Sequence, residues 1–496
     1  MAGLLLSTFL AAIEGTVIGP ANPAIVSEFG SVQLMSWVFT AYLLTMAAST
    51  PIFGKISDLY GRKPVFLIGS ILFLLGSVLC GFAQSMEQLI LFRALQGIGA
   101  GGLIPVTYTI IGDIYKIEER AKVQGLLSSV WGISSLLGPL IGGYFVDSLS
   151  WRWIFGFNVP FGLLSIVVII KYLHENIERR RVKIDFAGAF TLVIGVMALL
   201  IGLALGGQHA SWNSPIVISM FAAAVIFIAL FLFIEQRAEE PMVPLRLFRV
   251  WDIAVSGAAA LFVSSLLIGL SSYLPLWVQG VLGENATMSG LVMAPMSIGW
   301  MIGSMWGGSR IVTAGSRYTA AIGLSAILLG TIVMAIASHS TPQIVLFVLT
   351  FIYGIGFGFS ITVFTIIAQS SVGYHLRGAS TALNTFLRSL GQTIGAAVFG
   401  TWLNVRINQL TASESAGTRR LTMDDINHLL SAESNKGLSA DTVKALRQVL
   451  EGSLNSLFIL MVGIALAGLI SVWFLRNQAP SPVDGAEGIT QQTERA

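Results

Sequence analysis

The stretch GKISDLYGRKPVFLIG, residues 54–69, returns in altered form as GSRIVTAGSRYTAAIG at residues 308–323. Most positions differ, yet the glycines coincide: Gly54 with Gly308, Gly61 with Gly315, Gly69 with Gly323. Downstream, GIGAG (97–101) falls on GIGFG (354–358), and Arg120, Gly138 and Gly143 fall on Arg377, Gly395 and Gly400. A glycine match carries little in a chain with 53 glycines among 496 residues. An offset held at 254–257 residues over three separate segments marks an internal duplication.

The duplicated unit belongs in a membrane. The chain is 54% hydrophobic and 11% charged, against about 45–50% and about 25% in soluble domains, and its mean hydropathy is +0.80. Fourteen apolar runs are read at 3–26, 35–56, 63–83, 87–111, 123–146, 152–173, 184–206, 214–235, 253–280, 287–308, 318–337, 343–369, 379–402 and 454–475. Each is close to the roughly 20 residues that span a bilayer as a helix. Backbone polar groups in lipid must be satisfied within each segment, so the fold class is an all-α membrane protein with fourteen transmembrane helices. The first run lacks a basic lead and is interrupted by Glu14, so it is read as a retained helix rather than a cleaved signal.

Lys and Arg fix the orientation. Alternate short loops carry Lys55, Arg62 and Lys63; Lys116, Arg120 and Lys122; Lys171, Arg179 to Arg181 and Lys183; then Arg237, Arg246, Arg249, Arg310, Arg317 and Arg377. The intervening loops hold almost none, Arg152 being the exception. Both termini are therefore expected in the cytoplasm of a multi-pass cell-membrane protein. Helices 2–5 correspond to helices 10–13, which implies a six-helix bundle at 1–173, two inserted helices at 174–250, a second bundle at 251–475 and a polar cytoplasmic tail at 476–496. Two repeated bundles with a site between them form a transporter plan. Residues 403–453 are read as an outer loop, with Val443, Leu446, Val449 and Leu450 predicting short surface helices capped by Ser439 or Asp441.

Three segments resemble known signatures. GKISDLYGRK (54–63) resembles the loop between helices 2 and 3 of the major facilitator superfamily, LILFRALQGIGAGG (89–102) its helix-4 arginine motif, and SSLLGPLIGG (134–143) the helix-5 antiporter motif of drug:proton exchangers. With the helix count and AAIEGTVIGPANPAI (11–25), the chain resembles the fourteen-helix drug:proton antiporters, the multidrug resistance efflux transporters, from about residue 9 to about 475. The resemblance implies that Gly54, Asp58, Gly61, Arg62 and Asp113 form a conformational latch closed in the outward-facing state, the alternative being topogenic charge alone. Physically, Gly54 and Gly61 suit tight turns and close helix approach, and Asp58 suits a neighbouring helix N-terminus, where a carboxylate gains about 0.3–1 kcal/mol. Ser134, Gly138, Pro139, Gly142 and Gly143 are read as a packing device of small residues with a local bend, Ser134 standing where the family pattern has glycine.

GIGAGG also fits a dinucleotide-binding string, but no strand precedes it and it lies in an apolar helix. No GxxxxGK followed by Ser or Thr occurs, since Ser49 stands where the first glycine before Lys55 is needed. No HExxH or CxxC occurs, and the single cysteine, Cys80, forms no intramolecular disulfide. An enzyme and a cofactor are therefore not expected, and a proton gradient is the expected energy source.

Glu14 is the residue that needs a reason. A charge at the centre of a membrane helix costs about 2.5–3.5 kcal/mol on insertion scales and usually serves ions or protons. The resemblance implies proton coupling at this position, usually by aspartate, with Arg93 as the natural partner; the alternative is a structural ion pair. Arg388 is a third intramembrane charge. Asn22, Trp37, Tyr42, Tyr108, Trp131, Tyr273, Trp277, Asn384, Phe386, Arg388 and Gln392 are the substrate-binding candidates, against a reading in which the aromatics pack or sit at the interface, as Trp37, Trp151 and Trp153 are expected to do. The expected partners are protons, membrane lipids and small amphipathic or cationic substrates, with a monomeric chain and no nucleic acid. A lipid or glycolipid exporter, a solute:proton symporter and a membrane sensor without transport stay open as alternatives.

Overall fold

In the computed structural model, the described residues are 1–477 apart from 19–20, 30–33, 116, 174, 176–184, 207–211, 239–240, 242, 285, 414, 417–418 and 421–439. The expected cytoplasmic tail from 478 onward lies outside them. Helices occupy most of the described residues in each of the fourteen apolar runs. They are α1 (Ala2–Val17), α2 (Asn22–Phe29), α3 (Met35–Tyr60), α4 (Arg62–Gly81), α5 (Met86–Ile114), α6 (Ile117–Ser148), α7 (Trp153–Gly156), α8 (Asn158–Tyr172), α9 (Phe186–Ala204), α10 (Pro215–Glu235), α11 (Trp251–Leu276), α12 (Ala286–Ala314), α13 (Ser316–Ala335), α14 (Gln343–Ser370), α15 (Tyr374–Ser413) and α16 (Ala440–Trp473). A 3-10 turn (Leu245–Arg249) precedes α11, and a π turn (Trp277–Val281) follows it.

Eleven described helices are long and apolar enough to cross a membrane. The first, fifth and thirteenth runs fall outside that group. The apolar helices Ala2–Val17 and, within α6, Gly125–Ser134 are short, and α15 is more polar. These are the helices that turn polar side chains inward: Ser7, Thr8 and Glu14 on α1, Ser134 on α6, and Thr381 and Asn384 on α15 are all buried. Such side chains lower hydropathy without facing lipid.

The duplication is visible atom by atom. A Cβ placed on Gly97 meets the Tyr42 carbonyl oxygen at 2.3 Å, and one on Gly354 meets the Met296 carbonyl oxygen at 2.1 Å. A Cβ on Gly99 would meet the Gly69 carbonyl oxygen, and one on Gly356 that of Gly323, both at 2.7 Å. Gly61 and Gly315 hold φ at 95° and 85°, in the left-handed region that glycine favours. The Thr16 hydroxyl donates to the Ser134 carbonyl and the Ser265 hydroxyl to the Gly391 carbonyl, so the α1–α6 contact recurs as α11–α15. The glycines of GIGAG and GIGFG are thus contact points between backbones, and GIGAGG is a packing surface.

One apolar cluster is built within α11–α16. Two others lie within α1–α8. A fourth joins Leu192, Val196 and Leu200 of α9 to Leu44 and Ala47 of α3 and Leu383 of α15, so α9 leans on the seam between α3 and α15.

The expected surface helices in 403–453 are corrected. Residues 440–453 are the first turns of α16, with Leu446, Val449 and Leu450 buried. Their spacing runs on in phase through Leu454, Leu457, Phe458 and Met461, which are also buried. One continuous apolar stripe makes one helix. Likewise α15 runs past the apolar stretch to Ser413. Ser439 falls outside the described residues. Residues 415–416 pair antiparallel with 419–420, the one strand pairing among the described residues.

Candidate functional site

Glu14 is buried completely inside the first bundle, on α1 against α5 and α8. One carboxylate oxygen, Oε1, takes Nη1 of Arg93, which is equally buried. The other, Oε2, accepts from Asn158 Nδ2 at 2.7 Å, and the same amide nitrogen donates to the Ser77 hydroxyl at 2.8 Å. Arg93 is held on every side: Nη1 also donates to Gln96 Oε1 at 2.7 Å, Nε donates to the Val38 carbonyl at 3.1 Å, and the Tyr42 ring lies 4.3 Å from its guanidinium carbon. Gly76 lets α4 approach this point, since a Cβ there would stand 2.5 Å from the Gln96 backbone nitrogen.

Tyr42 Oη, Arg93 Nη2, Gln96 Nε2 and Asn158 Oδ1 are nevertheless buried without a protein partner. A buried polar group left unmatched costs about 1–3 kcal/mol. A fully satisfied network would be locked. This one keeps unused donors and acceptors within one residue of the ion pair, available to a rearranged pairing. Asn158 and Gln96 were not legible as members, because an amide in an apolar helix looks the same whether it packs or pairs. The geometry gives Tyr42 a different place from the one expected: its ring is stacked on Arg93, as part of the charge cluster.

The second charged cluster lies at the end of the bundle bearing the Lys- and Arg-rich loops, and it joins the two copies. Asp58 accepts the backbone N–H of Gly378 at 2.8 Å and of Ala379 at 2.7 Å, both in the opening turns of α15. Arg62 pairs with Asp58 at 2.7 Å and with Asp113 at 3.0 Å, and donates to the Tyr374 carbonyl at 2.8 Å. From the other copy, Arg377 pairs with Asp113 at 2.6 Å. Gly54 brings the helices together, for a Cβ there would lie 2.2 Å from the Ala382 Cβ. Two members escaped the sequence reading. Arg377 looked like orienting charge only. Glu175 accepts the N–H of both Arg62 and Lys63 at 2.8 Å, capping α4, and touches the Tyr374 hydroxyl at 3.4 Å.

In the 134–143 segment, Gly138 and Gly142 pack α6 on α1, since a Cβ would meet Thr16 Oγ1 at 2.0 Å and the Val17 carbonyl oxygen at 2.4 Å. Gly143 has open space around it, so packing does not require glycine there. Ser134 is buried with its hydroxyl unpartnered, and Pro139 lies within α6.

The profile of the Major Facilitator Superfamily matches residues 4–188 and 178–396. The chain belongs to the Major Facilitator Superfamily. Multidrug resistance protein 3 of Bacillus subtilis is 40% identical over 82% of this chain and 80% of its own length. The multidrug transporter protein MdtP of the same organism is 36% identical over 82% and 75%. Among solved structures, the proton:xylose symporter XylE aligns with a TM-score of 0.65 over 98% of this chain and 97% of its own at 12% identity. The human organic anion transporter MFSD10 (TETRAN) aligns with a TM-score of 0.61 over 93% and 98% at 14% identity. At such identities the likeness is one of fold. The facilitator fold and the resemblance to multidrug efflux members both stand.

The remaining expected contacts of this facilitator separate into groups. Trp37 and Phe386 pack on the apolar cluster shared with α9. Trp277 is wholly buried in the second-copy core, edge-on to Phe458. Trp131 is exposed on α6, and Tyr108, Arg388 and Gln392 are partly buried, with Asn384 buried. Tyr273 lines a cavity of about 340 Å³ between α11 and α15, together with Ser272, Ala396 and Asn404. The side chain of Asn22 lies outside the described residues.

Trp153 is exposed as an interfacial tryptophan would be, but Trp151 is buried. Its indole N–H donates to Glu28 Oε2 at 2.7 Å, and Arg152 pairs with Glu28 Oε1 at 2.8 Å. The one Arg that broke the loop pattern therefore carries its own counter-ion. The Arg152 guanidinium, and then the Trp151 N–H, hold the Glu28 carboxyl below the usual carboxylate range. A carboxylate lowered in the folded state stabilises above its unfolded pKa and loses that contribution as pH falls through the folded value. Melting in detergent should thus fall more steeply below about pH 4.3 for the parent than for Glu28→Gln; parallel curves would contradict this.

Proposed function

We propose that this facilitator exports amphipathic or cationic compounds across the cell membrane in exchange for protons, by alternating access. The observation that carries the reading is a carboxylate–guanidinium pair sealed in the first bundle of a transporter, among polar atoms left free to re-pair. The multidrug relatives support the substrate class. The fold's two copies joined by a closed charged cluster support the alternation, and the loop charges support a cytoplasmic location for that closed end, so the conformer is read as facing outward.

The coupling follows from charge. With Glu14 ionised, the pair is neutral and stable where it is. A proton on Glu14 strips Arg93 of its counter-ion, and an uncompensated buried charge costs about 3–5 kcal/mol. The bundle relieves that cost by moving Arg93 toward other partners or toward water, which shifts α1, α3 and α5 together. Substrate binding in the other orientation restores the pair and expels the proton.

The test is a proteoliposome assay with an acidic lumen and a panel of cationic dyes. Dye is expected to accumulate in the lumen and to leave when the gradient is collapsed. Uptake driven only by an acidic exterior would instead establish a symporter, and movement of labelled lipid without dye would establish a lipid exporter.

A further inference from the structure

The Glu14–Arg93 pair and the charged latch leave Arg388 unassigned. Arg388 lies in the middle of α15, and among the described residues no carboxylate pairs with it. Its Nε is shut off from solvent and has no partner. Its neighbour is the Tyr108 hydroxyl on α5, so Arg388 reaches from the second copy across to the first. Thr381, Asn384, Arg388 and Gln392 recur at three- and four-residue spacing and form a polar stripe on one side of α15. Gln369 closes its inner end, donating to the Tyr108 carbonyl at 2.8 Å while its own Oε1 stays buried and unpartnered.

The duplication adds a second wall. By the 257-residue offset that relates Arg120 to Arg377 and Gly138 to Gly395, Arg388 corresponds to Trp131 of α6. Equivalent positions of the two copies lie at the same depth, so the exposed Trp131 ring stands at the depth of Arg388. The α11–α15 contact is tight at Gly391 and Gly395, each within 3 Å of an α11 backbone atom if given a Cβ. Beyond Gly395 the helices part around the 340 Å³ cavity. Ala396 in that cavity is two turns beyond Arg388, about 12 Å at 1.5 Å per residue. That distance matches a substrate with a polar group at one end and an apolar body at the other.

We infer that Arg388, with Asn384 and Tyr108, binds an acidic group, a carboxylate or phosphate, on an amphipathic transported molecule whose apolar body occupies the side lined by Trp131 and the α11–α15 cavity. This rests on the export reading and narrows its substrates to those that carry an acid, alone or beside an amine. A guanidinium nitrogen buried without a partner is costly, and a planar acid answers the donor geometry of arginine better than any neutral group. A purely cationic molecule gains nothing from Arg388.

The experiment compares rhodamine 110, which carries a free carboxylate, with rhodamine 123, its methyl ester. Nitrobenzoxadiazole-labelled phosphatidylglycerol serves as a third probe. Binding to the purified full-length protein in detergent is read by fluorescence anisotropy, and accumulation is read in proteoliposomes. The parent is expected to bind the acid at least about 10-fold more tightly than the ester, a gap that one charged hydrogen bond supplies. Arg388→Gln should erase that gap and leave ester binding within about two-fold, and Arg388→Lys should keep part of it. Tyr108→Phe, which retains the ring, serves as a second variant and should reduce acid binding alone. A parent that does not distinguish acid from ester, or an Arg388→Gln that weakens both alike with its melting temperature unchanged, would overturn the site. Binding that depends on Arg388 without accumulation of any probe would uphold the site and sink export. Selective binding of the labelled lipid alone would uphold the acid site and identify the acid as a headgroup phosphate.

Discussion

Glu14→Gln is expected to cut pH-gradient-driven accumulation by at least about 10-fold while substrate exchange at equal pH on both sides persists. The substitution keeps shape and one hydrogen-bond acceptor but carries no proton charge, so the step that separates the two conformers loses its trigger. It also leaves Arg93 buried beside a neutral amide, and truncating one partner of such a pair costs about 3–5 kcal/mol. The single variant will therefore melt at a lower temperature than the parent. The double variant Glu14→Gln/Arg93→Gln removes the orphaned charge and should recover part of that stability, because replacing both partners is far less costly than replacing one. It should not recover pumping. If the double variant restores accumulation along with stability, the pair is an architectural brace, and the coupling group lies elsewhere.

The second large effect is expected at the seam between the copies. Gly54→Val places branched carbon where even a bare Cβ would stand 2.2 Å from Ala382 Cβ and 2.9 Å from the Gly378 carbonyl oxygen. The helices α3 and α15 must separate there, and the Asp58 bonds to Gly378 and Ala379 go with them. Overpacking of this kind costs about 1–3 kcal/mol, and bonds to a charged acceptor are worth about 1.5–3 kcal/mol. Both act against the closed conformer alone, so its population relative to the opposite conformer should fall by about 10-fold or more. A cysteine at Thr381, buried one turn beyond the latch, reports this. The native Cys80 is wholly buried and gives little background. Labelling of Thr381→Cys by an impermeant maleimide from the charged-loop side should accelerate at least about 10-fold in the Gly54→Val background. Asp58→Asn, which removes the charge without adding bulk, should accelerate it by a smaller factor. Equal labelling rates in all three proteins would show that the cluster does not hold the conformer.

The two predictions draw on different kinds of information. The span positions came from run length and the duplication from recurrent glycines, and all fourteen runs are helical. The outer segment misled because polarity was taken as the end of a helix, whereas Val443, Leu446 and Val449 were already the stripe of α16. Polar residues on a membrane helix also pair across the bundle, as Glu14 and Asp58 show. Among site residues, Glu14, Arg93, Asp58 and Arg62 stood out because a charge in an apolar setting is visible in one dimension. Gln96, Asn158 and Glu175 did not, since an amide or a loop acid has no local signature of pairing. Trp277 and Phe386 illustrate the converse: an aromatic residue suits a pocket and a core equally well, and only its neighbours distinguish the two.

By itself the sequence determined a duplicated, all-helical membrane protein and the depth of its charges. Bilayer thickness, backbone hydrogen bonding and glycine approach all act on short stretches, so they leave periodic marks. Only the tertiary structure decided which charges meet. Glu14 and Arg93 are 79 residues apart, and Asp58 and Gly378 are 320 apart. Ion pairs and backbone caps act over a few ångströms of space, and no local pattern records which distant helix will supply the other half.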